Sequence, residues 1–141
     1  IGHVYAPGEH FRFFKDVAAI ISESTRSVFL VDPYLDAPHY SAFFSSNAQI
    51  SVRVLCKNYA DDVRLVAAKH SSAGAISTEV RASNSLHDRL IFVDGDVCWL
   101  VGASIKDGGV KPTYITPLPK DLSLKKLVIY EDIWKNSHIV P

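Results

Sequence analysis

The stretch SLHDRLIFVDGDVCWLVGASIKDGG, residues 85–109, places an imidazole (His87) and a guanidinium (Arg89) two positions apart, and a hydroxyl (Ser104) and an ammonium (Lys106) two positions apart further on. Side chains alternate along a strand, so His87 and Arg89 share a face. Between the pairs, Asp94-Gly95-Asp96 is a strong signal for a short hairpin turn. Folding back there returns Gly102-Ala103-Ser104-Ile105-Lys106 to the level of His87. Imidazole acts as nucleophile or acid/base near neutral pH. Two cations and a hydroxyl suit a phosphate and the charge that builds on it in phosphoryl transfer. Gly102 allows close backbone approach. These positions offer no carboxylate cage for a metal, so chemistry without metal or cofactor is expected. Asp94 lies an odd number of residues from His87 and faces away on a regular strand. It reads as a turn or structural carboxylate, and Asp107 is the better candidate for orienting the imidazole.

The elements that must position these groups alternate in type. Residues 9–23 have a helical apolar stripe, with Phe11, Phe14, Ala18 and Ile21 on one face and Val17 and Ile20 widening it. Residues 27–32 (SVFLVD) form a buried strand stopped by Pro33. Residues 37–46 form a short helix or a loop, and 50–56 alternate as a second strand. Residues 60–72 are helical with Val63, Val66, Ala67 and His70 on one side, a break follows at 71–74, and 76–82 are a more exposed third strand. Arg89–Val93 and Val97–Val101 are the arms of the hairpin. Three prolines after Gly109 leave loop with one short strand near Tyr114–Thr116. Residues 122–136 close the chain as a helix with Leu124, Leu127, Val128 and Ile133 turned inward. This order predicts a mixed β-sheet flanked by helices, an α/β sandwich.

His87-x-Arg89-x-x-x-x-Asp94 followed by Gly-Ala-Ser-Ile-Lys resembles the His-x-Lys-x-x-x-x-Asp…Gly-Gly-Ser-x-Asn signature of the phospholipase D superfamily. VFLVDPYLD resembles the first-strand segment of the bacterial domains of that family, and HDRLIFVDG…GASIKDGG their second half. The resemblance covers most of the chain and points to a prokaryotic single-motif branch. It implies a phospholipase D-like α/β/α sandwich and a metal-independent phosphodiesterase, nuclease-like, working through a phosphohistidine on His87. A second histidine protonates the leaving group in this family. With one motif per chain, it implies a two-fold homodimer with the site across the interface. Arg89 takes the place of the family lysine, Ser104 matches its serine, and Lys106 stands where asparagine is expected. Arginine is a wider, planar fork than lysine, and Lys106 could restore the compact charge. The hairpin is two residues longer than the commonest family spacing, an even insertion that keeps each side chain on its face.

The chain has 141 residues, 48% hydrophobic and 21% charged, with 15 basic and 15 acidic residues. That fits one domain, 1–141, and argues against a strongly basic surface wrapping long nucleic acid. The absence of methionine and the start at Ile1 point to a piece of a longer protein. Cys56 and Cys98 sit in apolar runs as buried free thiols, which fits an intracellular, cytoplasmic setting. No run reaches the roughly 18 apolar residues of a membrane span. Asp32, Tyr34 and Asp36 follow a strand's carboxyl end, where α/β ligands often sit. Asp32 and Tyr34 are candidates for a pocket rim, or for a helix cap with a packed tyrosine. The other histidines lack metal spacing. Trp99 reads as core or dimer interface. Nucleic acid is preferred over phospholipid as substrate, the first by resemblance and the second for want of an amphipathic membrane helix. The alternative is a catalytically inactive phosphate- or nucleic-acid-binding or dimerisation module of a larger protein.

Overall fold

The run SVFLV is apolar without alternation because both faces of its strand are covered. A computed structural model of the chain describes residues 1–44, 49–74 and 76–141. In chain order it forms strand β1 (His3–Tyr5), helix α1 (His10–Ser22), β2 (Ser27–Val31), α2 (Ala37–Phe44), β3 (Ser51–Cys56) and α3 (Ala60–Ser72). There follow β4 (Ser77–Ala82), β5 (Leu90–Val93), β6 (Val97–Val101), β7 (Thr113–Pro117), α4 (Lys120–Lys135) and β8 (His138–Ile139). The strands make one mixed sheet in the order β1-β7-β6-β5-β2-β3-β4-β8. Strands β2, β3 and β4 run parallel, and the other pairings are antiparallel. Val28 and Leu30 of β2 pack with Val17, Tyr40 and Val63 of α1, α2 and α3. Phe29 and Val31 pack with Tyr130 and Trp134 of α4. Helices therefore cover both faces of the sheet, as expected for an α/β/α sandwich.

Several elements differ from the sequence reading. The inward face of α1 is Phe13, Val17, Ile20 and Ile21, while Phe11 is 78% exposed. Adjacent phenylalanines make two stripes equally apolar, and a distant glycine decides between them. Phe13 fills the space over Gly108, where an added Cβ would meet its ring at 1.9 Å. Phe14 stacks instead against Phe43. In α4 the buried residues are Ser123, Tyr130 and Trp134, with Leu127 and Ile133 packed partly inward. Leu124 and Val128 are exposed. The edge strands β1 and β8 are too short to leave a pattern in the sequence. Residues 45 and 46 of the segment expected at 37–46 lie outside the described residues.

The hairpin turn lies at the end of the sheet opposite His87. Asp94 and Gly95 both take positive φ, 56° and 65°, the mirror-image turn geometry that hairpins favour. The Asp94 carboxylate then accepts hydrogen bonds from the backbone N–H groups of Thr25, Arg26 and Ser27, the last two at 2.7 and 2.9 Å. It fastens the hairpin to the start of β2, a structural carboxylate. These bonds, that from Ser27 foremost, push its pKa down to about 2. A depressed carboxyl adds stability above its unfolded value, near 3.8, and that stability is lost as pH falls through about 2. Asp94→Asn is thus expected to lower stability by about 1–2 kcal/mol near neutral pH, a modest figure because the site touches water. The difference from wild type should shrink between about pH 4 and pH 2, as urea melts at a series of pH values would show.

Candidate active site

Register brings four strand ends to one place. Val31 of β2 lies opposite Leu55 of β3 and Leu90 of β5, and Leu90 lies opposite Leu100 of β6. The residues just beyond these pairs are Asp32, Arg89 and the turn that begins at Gly102. The ladder continues past β5, since the Val101 N–H donates to the Arg89 carbonyl at 2.9 Å. His87 and Arg89 therefore return to the level of Gly102 and Ala103.

Arg89 ties this corner together. Its Nη2 donates to the Gly102 carbonyl at 2.9 Å and its Nη1 to the His87 carbonyl at 3.3 Å. One guanidinium thus joins the two segments. Its Nε is buried without a partner among the described residues. A guanidinium carries five N–H donors, so one N–H on each Nη is not used by these two bonds. His87 is exposed.

Asp32 is the hub beneath. It is fully buried. Its Oδ2 accepts from the Ile105 N–H at 2.7 Å and the Ser104 hydroxyl at 3.0 Å. Its Oδ1 accepts from the Tyr34 N–H at 3.0 Å. Burial pushes its carboxyl up, against the pull of these donors and of the Arg89 charge. The sequence reading placed Asp32 at a pocket rim; in the structure it lies below the rim, and Tyr34, 43% exposed, stands at the surface. Ser104 is read from sequence as a phosphate donor, but its one proton goes to Asp32. Its place is under the loop it holds.

Lys106 is half-exposed and sits 3.3 Å from the Asp107 carboxylate, which raises its pKa. Asp107 is thereby turned to Lys106, rather than to the imidazole it is read as orienting. Gly102 is closely covered, for a Cβ there would meet the Thr113 hydroxyl at 2.5 Å and the Tyr114 ring at 2.7 Å. Asp88 anchors the motif from the other face of the sheet. Its carboxylate accepts from Lys126 at 2.5 Å and from the Tyr130 hydroxyl at 2.8 Å, both on α4. Its alternation with His87 and Arg89 was the available signal.

Other chemistry-bearing groups are paired among themselves or inert. Burial pushes the Cys56 and Cys98 thiols up to about 12, away from the reactive thiolate. His39 pairs with Asp36, and His70 with Ser41. Trp99 packs partly buried against the core. Among the described residues no three His, Cys, Asp or Glu side chains gather as metal ligands would, and no helix is long and apolar enough to cross a membrane.

Solved structures share this architecture end to end. NucT from Helicobacter pylori superposes with a TM-score of 0.78 at 13% identity, covering 99% of each chain. Nuc from Salmonella typhimurium, a phospholipase D family member, gives 0.74 at 15% identity, covering 99% of this chain and 97% of that one. This chain has the phospholipase D fold. TrmBL2, an archaeal chromatin protein with a novel mode of DNA binding, shares that fold at a TM-score of 0.67 and 11% identity over 54% of its own chain. No protein family model and no curated protein matches the sequence. Within the phospholipase D fold, His87, Arg89 and the Gly102–Lys106 turn occupy one end of the sheet and Asp94 the other.

Proposed function

We propose that this chain is a metal-independent phosphodiesterase of phospholipase D type acting on nucleic acid. The observation that carries the reading is the Arg89 bridge between the His87 and Gly102 carbonyls, which ties the segment that carries His87 to the turn that carries Lys106. Two of the solved structures with this fold, NucT and Nuc, have its length from end to end. In the proposed reaction a His87 ring nitrogen attacks phosphorus. The bond to the leaving oxygen breaks, and that oxygen takes a proton from a second imidazole. The remaining N–H groups of Arg89 and the ammonium of Lys106 hold the non-bridging oxygens as negative charge builds. Water then attacks the phosphohistidine, giving its proton to the second imidazole and releasing His87. One motif per chain supplies one such imidazole, so the second comes from His87 of another copy in a two-fold dimer.

The test is hydrolysis of single-stranded DNA, RNA and bis(4-nitrophenyl) phosphate in excess EDTA. Turnover of at least one, unchanged by the chelator, is the expected outcome. Binding without turnover favours the second reading, a non-catalytic nucleic-acid-binding or dimerisation module. That reading draws on the commitment of both Arg89 Nη atoms to main-chain carbonyls and on TrmBL2, a DNA-binding protein of the same fold.

A further inference from the structure

Helix α4 carries two apolar stripes, and the fold uses one of them. Ser123, Tyr130 and Trp134 are buried against the sheet, with Leu127 and Ile133 packed partly inward. On the other side Leu122, Leu124, Val128 and Ile129 are exposed, Val128 by 71% and Ile129 by 54%. Leu124, Lys125, Val128 and Ile129 line an open groove of about 440 Å³. A single exposed apolar residue needs no explanation, but a contiguous stripe on one helix does. Four charges frame this stripe. Asp121, Lys125, Asp132 and Lys135 are exposed and form no salt bridge among the described residues. At 3.6 residues per turn they fall, together with Val128, within an arc of about 80°. By contrast Lys126 and Glu131, on the flanks of the helix, are bound to Asp88 and Arg53. The order along the outer face is acid, base, valine, acid, base. Turned end for end, that order is its own complement.

We propose that the outer face of α4 docks a second copy of this chain, the two α4 helices packing antiparallel about a two-fold axis beside Val128. Val128 and Ile129 then meet their counterparts at the axis, with Leu124 to either side. Lys125 lies opposite Asp132 of the second copy and Asp121 opposite its Lys135, and the two-fold repeats each pair. A parallel pairing would set like charge against like. The charges balance within the face, so it has no cationic excess to draw it to an anionic membrane. One helix pair buries less than the roughly 800 Å² per partner of a standard stable interface, so the expected Kd is about 10–100 µM. The α4 surface lies over a face of the sheet, whereas the reactive corner lies at its end. The pairing therefore stands or falls apart from the phosphodiesterase reading.

The test is sedimentation equilibrium of the full chain between about 5 and 300 µM, concentrations that bracket that affinity. Wild type is expected to pass from monomer to dimer across the range. Val128→Glu puts a charge at the apolar axis and should weaken association about tenfold or more. Lys125→Asp and Asp132→Lys should each weaken it, and the double variant should restore it. The two single variants, mixed, should pair with each other, because each supplies the charge the other lacks. All these positions are exposed, so thermal melts of the variants should match wild type. Where copies also meet at the reactive corner, wild type reaches a tetramer and Val128→Glu returns it to a dimer, which supports the same interface. A wild type that stays monomeric overturns the proposal, as does association indifferent to Val128→Glu and to charge reversal. So does a monomeric chain that floats with phosphatidylcholine–phosphatidylserine vesicles in a Val128-dependent way, which assigns the face to a membrane.

Discussion

Under the proposed chemistry, His87→Ala is expected to abolish phosphodiester cleavage, by about ten-thousandfold or more, while leaving the fold intact. The size follows from losing the proposed nucleophile, which no neighbour replaces. The other histidines of the described structure are paired elsewhere or lie on other elements. The second half of the expectation follows from exposure. His87 projects into solvent, and its hold on the fold is its carbonyl, which alanine keeps. The melting temperature should therefore move by less than about 2 °C. A thermal melt beside a cleavage assay checks both. Loss of activity with loss of fold would show a structural residue, and retained activity would remove His87 from the chemistry. Co-expression of wild-type and variant chains reads the dimer as well. If each site needs an imidazole from two copies, mixed dimers are dead, and activity falls with the square of the wild-type fraction. A linear fall would mean that each copy works alone.

The hairpin arithmetic behind this expectation was legible because it is local. Thirteen residues separate Arg89 from Gly102, and a turn with Asp-Gly at its centre sets their register from sequence alone. The parity argument that turned Asp94 away from His87 is of the same kind. Its partners at Thr25–Ser27 were not legible, since they lie 67 to 69 residues away. Asp32 shows the limit most clearly. Asp-Pro after an apolar run reads as a strand end, and so it is. That the carboxylate then turns into the protein depends on β5, not β1 or β7, lying beside β2. Strand order is a long-range property that local pattern does not carry. Likewise, Phe11 and Phe13 compete on equal terms in a helical wheel, and only the docking of Gly108 onto α1 separates them.

Asp32→Ala should be strongly destabilising. The carboxylate serves three donors and balances one cation, so alanine acts on all of them together. The Ile105 N–H and the Ser104 hydroxyl lose the acceptor they share, and the Tyr34 N–H loses its own. The Arg89 charge loses its buried counterpart. Leaving buried donors and a charge unanswered costs about 3–5 kcal/mol, a large share of the total stability of a domain. Ser104→Ala removes only one of those donors and leaves the acceptor with two others, so it should cost about 1 kcal/mol. Asp32→Asn falls between, because one amide oxygen can serve Ile105 and Ser104 while its NH₂ group meets the Tyr34 N–H. Urea melts of the three variants check this order. The order matters for chemistry because the turn that Asp32 holds carries Lys106 and begins at Gly102, where Arg89 reaches across to His87. In Asp32→Asn, which retains most of the fold, cleavage should fall more than stability does. Equal stability in all three variants would mean that the buried carboxylate holds nothing, and the corner would need another explanation for its shape.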